Sequence, residues 1–455
     1  MTGVHQHALF ETPSSQHEGP STGKAKFRKR RLKVVDLFAG AGGLSQGFHQ
    51  AGFQIIGGSD HDPDACATYA GNFPQARTIV GDIRTKATRD EILDVARRAD
   101  VIVGGPPCQA FSQVRNHSRL IDDPRNSLYR EFVQTVDSAR PAAFIMENVP
   151  GMAQMGVLEQ VKQDLSISGA YDLNAQVLDA ANFGVPQTRK RLIFFGVRRD
   201  LEVSPLMPTG SGATSRLGLR RDAQSYSVVS RSVEDLTILD HLRDTNDLSV
   251  VTAAQAISDL EVLESGRRAE SIEIAELAEP QSAYQELMRR GLSDELMNVS
   301  VPRMNADTVQ RLNAVPAGGN HRDLTDELRV RYLSDQRWGP ANGSGQLGRA
   351  HYYAYRRLHP GMWGWTLNTK ADSVYHYATA RSLTVREFAR LQSFPDHFVV
   401  TTDPRRGELT GRISGGAAHS RYRQIGNAVP PLLAMAIARE VSKVVNSALH
   451  RAADQ

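Results

Sequence analysis

The chain has 455 residues, of which 40% are hydrophobic and 23% are charged, a composition that suits a folded protein of two or three domains. Its two cysteines are too few for a disulfide framework or a four-cysteine zinc site, and we expect no metal. We find neither a long apolar run nor a signal peptide, so we expect a cytoplasmic protein without membrane contacts. The net charge of +4 is mild and by itself identifies no partner.

The N-terminal residues 1–31 are polar and aperiodic, which predicts a disordered tail. The last part of this tail, residues 24–31, concentrates six positive charges. Such a run is either a solvated tail or an arm that attracts phosphate groups, and the sequence leaves both alternatives open.

From residue 32 the hydrophobic pattern predicts an α/β domain. Short apolar strands alternate with helical stretches, as in a right-handed parallel sheet. Asp62 followed by Pro63 is typical of a helix start. The predicted strands cover residues 34–38, 53–57, 77–80, 100–104, 142–146 and 191–197, with predicted helices over 44–51 and 431–448. The alternation stops near residue 200, so residues 201–380 are interpreted as most of a second, smaller domain.

A glycine-rich turn follows the first predicted strand. Gly40, Gly42 and Gly43 allow a sharp turn into a helix and a close approach of the backbone to a ligand. Ser45 stands where a dinucleotide fingerprint has its third glycine, which favours a cofactor without a pyrophosphate. Asp60 and Asp82 follow later strands, where we expect them to contact ribose hydroxyls and an adenine amino group. A metal site in the acidic turn 60–64 is the weaker alternative.

The most specific local signal is Cys108, which follows two glycines and two prolines at the end of an apolar strand. Pro106 and Pro107 stiffen the backbone before the thiol, and the polar residues after it predict a mobile loop. This context favours a nucleophile. Cys66, on a predicted helix, is interpreted as a buried core residue.

Three further side chains complete the candidate catalytic group. Glu147 ends a buried strand at the sheet edge that carries Cys108, and burial there favours the protonated form of a proton donor. Arg189 and Arg191 alternate along an extended segment and are suited to grip a base or a phosphate. A solvated basic strand is the alternative for the two arginines.

In this order, the motifs resemble the signature blocks of the DNA (cytosine-5)-methyltransferase family of bacterial restriction-modification systems. The resemblance extends from residue 32 to about residue 445 and rests on residues 36–43, 106–109, 147–149, 187–191, 381–396 and 424–431. It implies a Rossmann-like S-adenosylmethionine-dependent methyltransferase sheet with a smaller, variable target-recognition domain. The implied division is a tail (1–31), a catalytic and cofactor-binding domain (32–200), a target-recognition domain (201–420) and a returning C-terminal helix (421–455).

The resemblance also implies roles for individual residues. Cys108 would attack C6 of a flipped-out cytosine, Glu147 would bond N3 and the exocyclic amine, and Arg189 would contact the cytosine carbonyl. Arg191 would support the loop and Glu147. The implied pocket for the methyl donor S-adenosyl-L-methionine consists of Phe38, Gly40, Gly42, Gly43, Asp60, Asp82, Pro107, Leu128, Asn427 and Val429. Asp123, Arg125 and Asn126 are candidates for contacts with the DNA backbone.

Double-stranded DNA with a specific short target is therefore the expected substrate, a cognate restriction endonuclease an expected partner, and a nucleoid-associated monomer the expected form. Two alternatives remain: a tRNA cytosine-5 methyltransferase, against which the lack of a third cysteine argues, and a non-catalytic DNA-binding relative, against which Cys108 and Glu147 argue. A nicotinamide dehydrogenase is disfavoured by Ser45. The target sequence cannot be read from one chain. For the following residues, base contacts and ordinary packing are both open: Arg356, Arg357, Trp363, Trp365, Tyr375, His376 and Tyr377.

Overall fold

The computed structural model describes residues 30–107, 127–154, 158–211, 214, 251–328, 355–404 and 417–454. Several sequence predictions lie outside the described residues. These are the predictions for most of the N-terminal tail and for Cys108, Asp123, Arg125 and Asn126.

A seven-stranded sheet organises the first half of the chain, in the order β3-β2-β1-β4-β5-β7-β6. Its strands are β1 Lys33–Leu37, β2 Gln54–Asp60, β3 Arg77–Val80, β4 Val101–Gly104, β5 Ala143–Asn148, β6 Tyr171–Asp179 and β7 Lys190–Arg198. Neighbouring strands from β3 to β5 are parallel, whereas β7 runs antiparallel to both β5 and β6. The sequence predicted a parallel sheet, and this prediction is wrong for the direction of β7.

The physical reason lies in β6, which the sequence did not predict. This strand is at the sheet edge, and its central residues are only partly buried, so it lacks a continuous apolar run. Because β6 leads into β7 through a short connection, the two strands pair antiparallel, and β7 inserts between β6 and β5.

Helices cover both faces of this sheet: α1 Gly43–Gln50, α2 Pro63–Asn72, α3 Lys86–Ala96, α4 Ser127–Ala139, α5 Gly151–Gln154 and α6 Leu158–Leu165. The predicted start of α2 is confirmed, because the Asp62 side chain accepts a hydrogen bond from the Asp64 amide and Pro63 occupies the first helical turn. Cys66 in this helix is buried, as predicted, and burial raises the pKa of its thiol to about 12.

The second half of the chain adds α7 Ala253–Ile257, β8 Ser271–Glu273, α8 Ala283–Arg289, β9 Glu295–Met297, α9 Ala306–Ala314, α10 Val385–Leu391, α11 Ala417–Asn427 and α12 Pro431–Asp454. Short 3-10 turns occur at Ala180–Phe183, Arg199–Leu201, Ser258–Leu260, Ile274–Glu276, His321–Asp323 and Ala371–Ser373. β8 and β9 form a separate two-stranded sheet. No described helix is both long enough and apolar enough to cross a membrane.

One hydrophobic cluster joins the two halves. It contains side chains of β1, β2, β4, β5 and β7 together with residues of 251–288, 358–400 and 422–445. Parts of the predicted range 201–420 thus pack in the same core as the sheet. The predicted domain boundaries themselves stay predictions.

Helix α12 closes this core against α1. A Cβ atom on Gly47 would lie 2.4 Å from the Ala434 Cβ, and one on Gly43 would lie 2.2 Å from the Val429 carbonyl oxygen. The C-terminal helix can therefore approach α1 closely only because α1 has glycine at both positions. This contact brings the C-terminal block to the glycine-rich turn.

Candidate active site

A cavity of about 1010 Å³ opens where the parallel strands end. Twelve of the thirteen predicted site residues that the structure describes line it: Phe38, Gly40, Gly43, Asp60, Asp82, Pro107, Leu128, Glu147, Arg189, Arg191, Asn427 and Val429. Such an edge is where ligands of open α/β sheets bind, because the strand-to-helix turns leave a crevice there. Gly42 is absent from the lining.

Gly42 instead shapes the turn beneath the cavity. Its φ of 96° is in the left-handed region, and a Cβ atom here would come within 2.6 Å of the Phe73 ring. Phe38 and Gly40 also have positive φ values, 57° and 54°. The turn therefore needs glycine at Gly42 for both its conformation and its contact with α2.

A buried hydrogen-bond network that the sequence did not predict holds the same turn. Ser45 donates its backbone amide and its Oγ hydroxyl to Asp36 Oδ2, at 3.2 and 2.7 Å. The Ser45 hydroxyl also lies 2.9 Å from the Tyr69 hydroxyl. Gly42, at the N-cap position of α1, has no side chain that could cap the helix. The Asp36 carboxyl group of β1 instead accepts a backbone amide of the first helical turn. Burial raises the pKa of Asp36 to about 7.

The two acidic residues predicted to hold the cofactor differ in exposure. Asp60 accepts the Gly40 amide at Oδ2 and the Asp62 amide at Oδ1, both at 2.9 Å. Burial alone would raise the pKa of Asp60, but hydrogen bonds from His61, Asp62 and Gly40 lower it below its usual range. Asp82 is solvent-accessible and bonded to Arg84, whose side chain lowers the pKa of Asp82 to about 2. Both groups are therefore carboxylates at neutral pH.

Glu147 and Arg191 form an ion pair in the cavity wall. Arg191 Nε lies 2.5 Å from Glu147 Oε1, and each side chain is 13% exposed. A Cβ atom on Gly105 would lie 2.9 Å from Glu147 Oε2, so a glycine at this position leaves room for the carboxylate. The antiparallel pairing of β5 with β7 thus sets Glu147 beside the arginine.

The loop that leads to the predicted nucleophile is tied to the same strand. Asn148, the last residue of β5, donates its side-chain amide to the Pro106 carbonyl oxygen at 3.1 Å. Pro107 lines the cavity next, and Cys108 follows it in the chain. The structure therefore places the residue before Cys108 in the same cavity as Glu147.

Arg189 has a different environment from Arg191. It is 2% exposed, and its terminal nitrogens donate to the carbonyl oxygens of Leu367, at 3.1 Å, and Gly426, at 2.6 Å. Among the described residues, its Nε has no hydrogen-bond partner. Burial, together with the charge of Arg191, lowers the pKa of the Arg189 guanidinium. Nε and the second hydrogen of each terminal nitrogen therefore remain as donors for a ligand.

Part of the cavity wall comes from residues that the sequence did not predict, the segment 366–369. Thr366 donates its hydroxyl to the Thr188 carbonyl oxygen at 2.6 Å, and the Leu367 amide donates to Gln187 Oε1 at 3.1 Å. A Cβ atom on Gly426 would lie 1.9 Å from the Asn368 carbonyl oxygen. The segment is thus held between the residues that lead into β7 and helix α11. No local pattern could reveal contacts across such sequence distances.

The seven side chains left open between base contacts and packing are all buried: Arg356, Arg357, Trp363, Trp365, Tyr375, His376 and Tyr377. Arg357, for example, donates to the carbonyl oxygens of Leu312, Val315 and Tyr377. Their environment favours the packing alternative.

The model of a protein family, C-5 cytosine-specific DNA methylase, matches residues 32–443. The chain belongs to this family. It is 30% identical over 422 residues to the Type II methyltransferase M1.HphI of Haemophilus parahaemolyticus, covering 91% of this chain and 87% of the relative. It is 32% identical over 420 residues to M.DdeI of Desulfomicrobium norvegicum, with 90% and 88% covered.

Among solved structures, the methyltransferase resembles a protein encoded within a prophage of E. coli and described as a DNA modification methyltransferase. The TM-score is 0.53 at 23% identity, with 91% of this chain and 99% of that chain covered. This likeness supports the Rossmann-like α/β fold. The family and its Type II relatives identify the chain as a DNA (cytosine-5)-methyltransferase, and the family implies S-adenosylmethionine as the methyl donor.

Proposed function

We propose that the methyltransferase modifies C5 of cytosine within a specific short sequence of double-stranded DNA, on a flipped-out base, with Cys108 as the nucleophile. The observation that carries this proposal is the shared cavity of Pro107, Glu147 and Arg191. In this cavity the Glu147–Arg191 ion pair lies beside Pro107, the residue that directly precedes Cys108. This combination suits addition of a thiolate to a ring whose developing charge must be stabilised.

The proposed reaction begins when the Cys108 thiolate forms a bond to C6 of the cytosine. The electron pair of the C5–C6 double bond moves toward N3, and the Glu147 carboxyl group, in its protonated form, donates its proton to N3 and so offsets the charge. C5 would then take the methyl group from S-adenosylmethionine: the bond between methyl carbon and sulfur would break, its electron pair would go to sulfur, and S-adenosylhomocysteine would leave. Loss of the C5 proton to a base restores the double bond and releases Cys108.

Base flipping is part of the proposal because C5 and C6 are inaccessible inside a duplex. Extrusion costs a few kcal/mol of stacking and pairing, which contacts in the pocket must offset. Arg191, at 13% exposure, keeps Glu147 oriented. Arg189 retains its Nε for the cytosine carbonyl, the role that the sequence resemblance implies.

The residues of the cavity fit the proposed methyl donor. Asp60 is a carboxylate at the end of β2, held by two backbone amides and directed at the cavity, as a ligand of ribose hydroxyls should be. Asp82, whose oxygens accept hydrogen bonds from Arg84, would accept a further bond from the adenine amino group. Phe38, Pro107, Leu128, Asn427 and Val429 would enclose the rest, beside the glycine-rich turn.

The biological setting is proposed from the relatives. Those named above are Type II methyltransferases, so we propose a restriction-modification system with a cognate endonuclease. We further propose a cytoplasmic, nucleoid-associated monomer, since flipping one base needs one subunit. The predicted target-recognition domain would select the DNA sequence.

Bisulfite sequencing tests the function directly. Plasmid DNA from a methylation-free bacterium expressing the chain is compared with DNA from a Cys108→Ala control. Cytosines protected at one recurring short sequence only with the native chain are the expected result. Equal protection by the variant would refute the nucleophile. Protein without protected cytosines would favour an RNA substrate or a non-catalytic DNA-binding relative.

A further inference from the structure

We propose that His61 competes with the cofactor ribose for Asp60, so that a protonated His61 weakens cofactor binding. The inference rests on the proposed function, in which Asp60 holds the ribose hydroxyls. It adds a positioning residue that the family resemblance does not assign, and it makes cofactor affinity depend on pH.

The argument starts from the lone pairs of Asp60. A carboxylate offers about four acceptor positions, two on each oxygen. Oδ1 already has the Asp62 amide at 2.9 Å and His61 Nδ1 at 3.2 Å, while Oδ2 has the Gly40 amide at 2.9 Å. One position on Oδ2 is left. A ribose presents two neighbouring hydroxyls, so a two-point grip requires a second position.

His61 is the partner that can leave. The other two donors are backbone amides, one in the glycine-rich turn and one at the start of α2, and both are fixed by the fold. The His61 side chain is 78% exposed at the cavity wall, and a rotation about its side-chain bonds would take the ring away from Asp60. Binding of the second hydroxyl therefore displaces His61.

The charges around His61 determine how strongly it holds Asp60. Contact with Asp60 raises the pKa of His61, burial lowers it, and the charges of Asp60, Asp62 and Asp82 raise it further. Arg84 pairs with Asp82, and Arg423 of α11 pairs with Asp62 at 2.6 Å, which leaves Asp60 as the carboxylate in contact with the imidazole. A charged imidazole forms the stronger hydrogen bond to a carboxylate.

The sign of the pH effect follows from this competition. Cofactor binding favours the state in which His61 has released Asp60, and this state binds fewer protons because the pKa of a released His61 falls. Affinity should therefore rise as the pH rises through the titration of His61 and become constant above it. Asp60 itself stays ionised, because its pKa lies below the usual value.

Calorimetric titration of the full chain with S-adenosylhomocysteine from about pH 5.5 to about pH 8 tests the proposal. For the native chain we expect Kd to fall about tenfold across this range, the equivalent of one pKa unit of coupling. His61→Phe retains an aromatic ring but no donor, so its Kd should vary little with pH and be lower than the native value at acidic pH. An analogue without the 2′-hydroxyl should show a weaker pH dependence with the native chain.

Two controls separate the sources of an effect. Asp36 is a second group that titrates near neutrality, so the series is repeated in an Asp36→Asn background. Asp60→Ala tests the underlying assignment, and thermal unfolding confirms that each variant is folded. Undiminished cofactor binding by Asp60→Ala would overturn the proposed ribose site. If Asp60→Ala lost cofactor binding, but the Kd of His61→Phe depended on pH as strongly as that of the native chain, only the role of His61 would be overturned.

Discussion

Arg191 at the cavity and three arginines around α10 occupy contrasting environments. At the cavity, Arg191 pairs with Glu147, and both side chains retain contact with solvent. Around α10, Arg381, Arg386 and Arg390 are at most 1% exposed. Arg390 bonds Asp396 through Nε and Nη2, at 2.9 and 2.7 Å, and bonds Asp259 through Nη1 at 2.5 Å.

The difference shows how the same residue type serves two purposes. Arg386 donates to the carbonyl oxygens of Met297, Pro395 and Phe398, and thereby satisfies backbone groups that water cannot reach. Arg381 pairs with Glu387, which also caps α10 through the Thr384 amide. In the α10 group, most donors and acceptors are matched within the protein, although Arg381 Nε has no partner among the described residues. The Arg191 pair instead faces a cavity, where a ligand can join it.

The strongest test of this contrast breaks the buried group. Arg390→Met should lower the free energy of unfolding by about 3–5 kcal/mol, because Asp259 and Asp396 would lose their shared buried partner. Denaturant unfolding measures the loss. Arg77→Met is the matched control, since Arg77 is 47% exposed in its pairs with Glu91 and Asp94 and should cost less than about 1 kcal/mol. Equal costs for the two variants would contradict the contrast.

The cavity pair should respond in the opposite way. Glu147→Gln keeps the shape of the side chain but removes its ability to ionise and to transfer a proton, so methyl transfer should slow by about a hundredfold or more. Stability should change less than in Arg390→Met, because Glu147 and Arg191 line a cavity and keep partial contact with solvent, whereas the partners of Arg390 are fully buried. Single-turnover transfer from labelled cofactor and denaturant unfolding give the two readouts. Glu91→Gln, on the surface, is the control. If Glu147→Gln lowered the free energy of unfolding but did not slow methyl transfer in the folded protein, the role of Glu147 would be structural.

Local chemistry explains which features the sequence could predict. Strands β1 to β5 each contain adjacent apolar residues, and the start of α2 depends on neighbouring residues. Both were therefore predicted close to their observed bounds. The unpredicted features depend on distant partners. Arg189 reaches Leu367 and Gly426 across 178 and 237 positions, and the wall segment 366–369 has no periodicity that marks it. The Ser45 network was likewise hidden, since only the fold brings Asp36 and Tyr69 together.

A third group of contacts connects the α10 region with the cavity. The side chains of Asp64, Thr68 and Asn72, one turn apart on α2, hydrogen-bond to the backbone of residues 399–403. Within the same segment, Asn298 donates its side-chain amide to the Val400 carbonyl oxygen and accepts the Val400 backbone amide. These side chains replace the partner strand that an extended segment would otherwise need.

Asn72→Ala should therefore have an intermediate effect. It leaves the Val399 amide and carbonyl without their partner, at a cost of about 1–3 kcal/mol in unfolding free energy. Denaturant unfolding is again the measurement. Asn446→Ala is the control, because among the described residues Asn446 bonds the side chain of Ser442, one turn away within α12. A loss as small as that of the control would mean that water replaces the α2 contacts.

The smallest effect on stability is expected from removal of the N-terminal tail. Deletion of residues 1–29 removes four of the six positive charges of the basic segment and leaves Arg30 paired with Asp100 at 2.5 Å. If the segment is an arm that attracts phosphate, DNA binding weakens and log Kd depends less steeply on log salt, by about 0.9 for each phosphate that the arm no longer neutralises. Unfolding free energy should stay unchanged. If the slope of log Kd against log salt did not change, the segment would be a solvated tail. The contrast between arginines that meet a ligand and arginines that stabilise the fold would then apply only to the folded part of the chain.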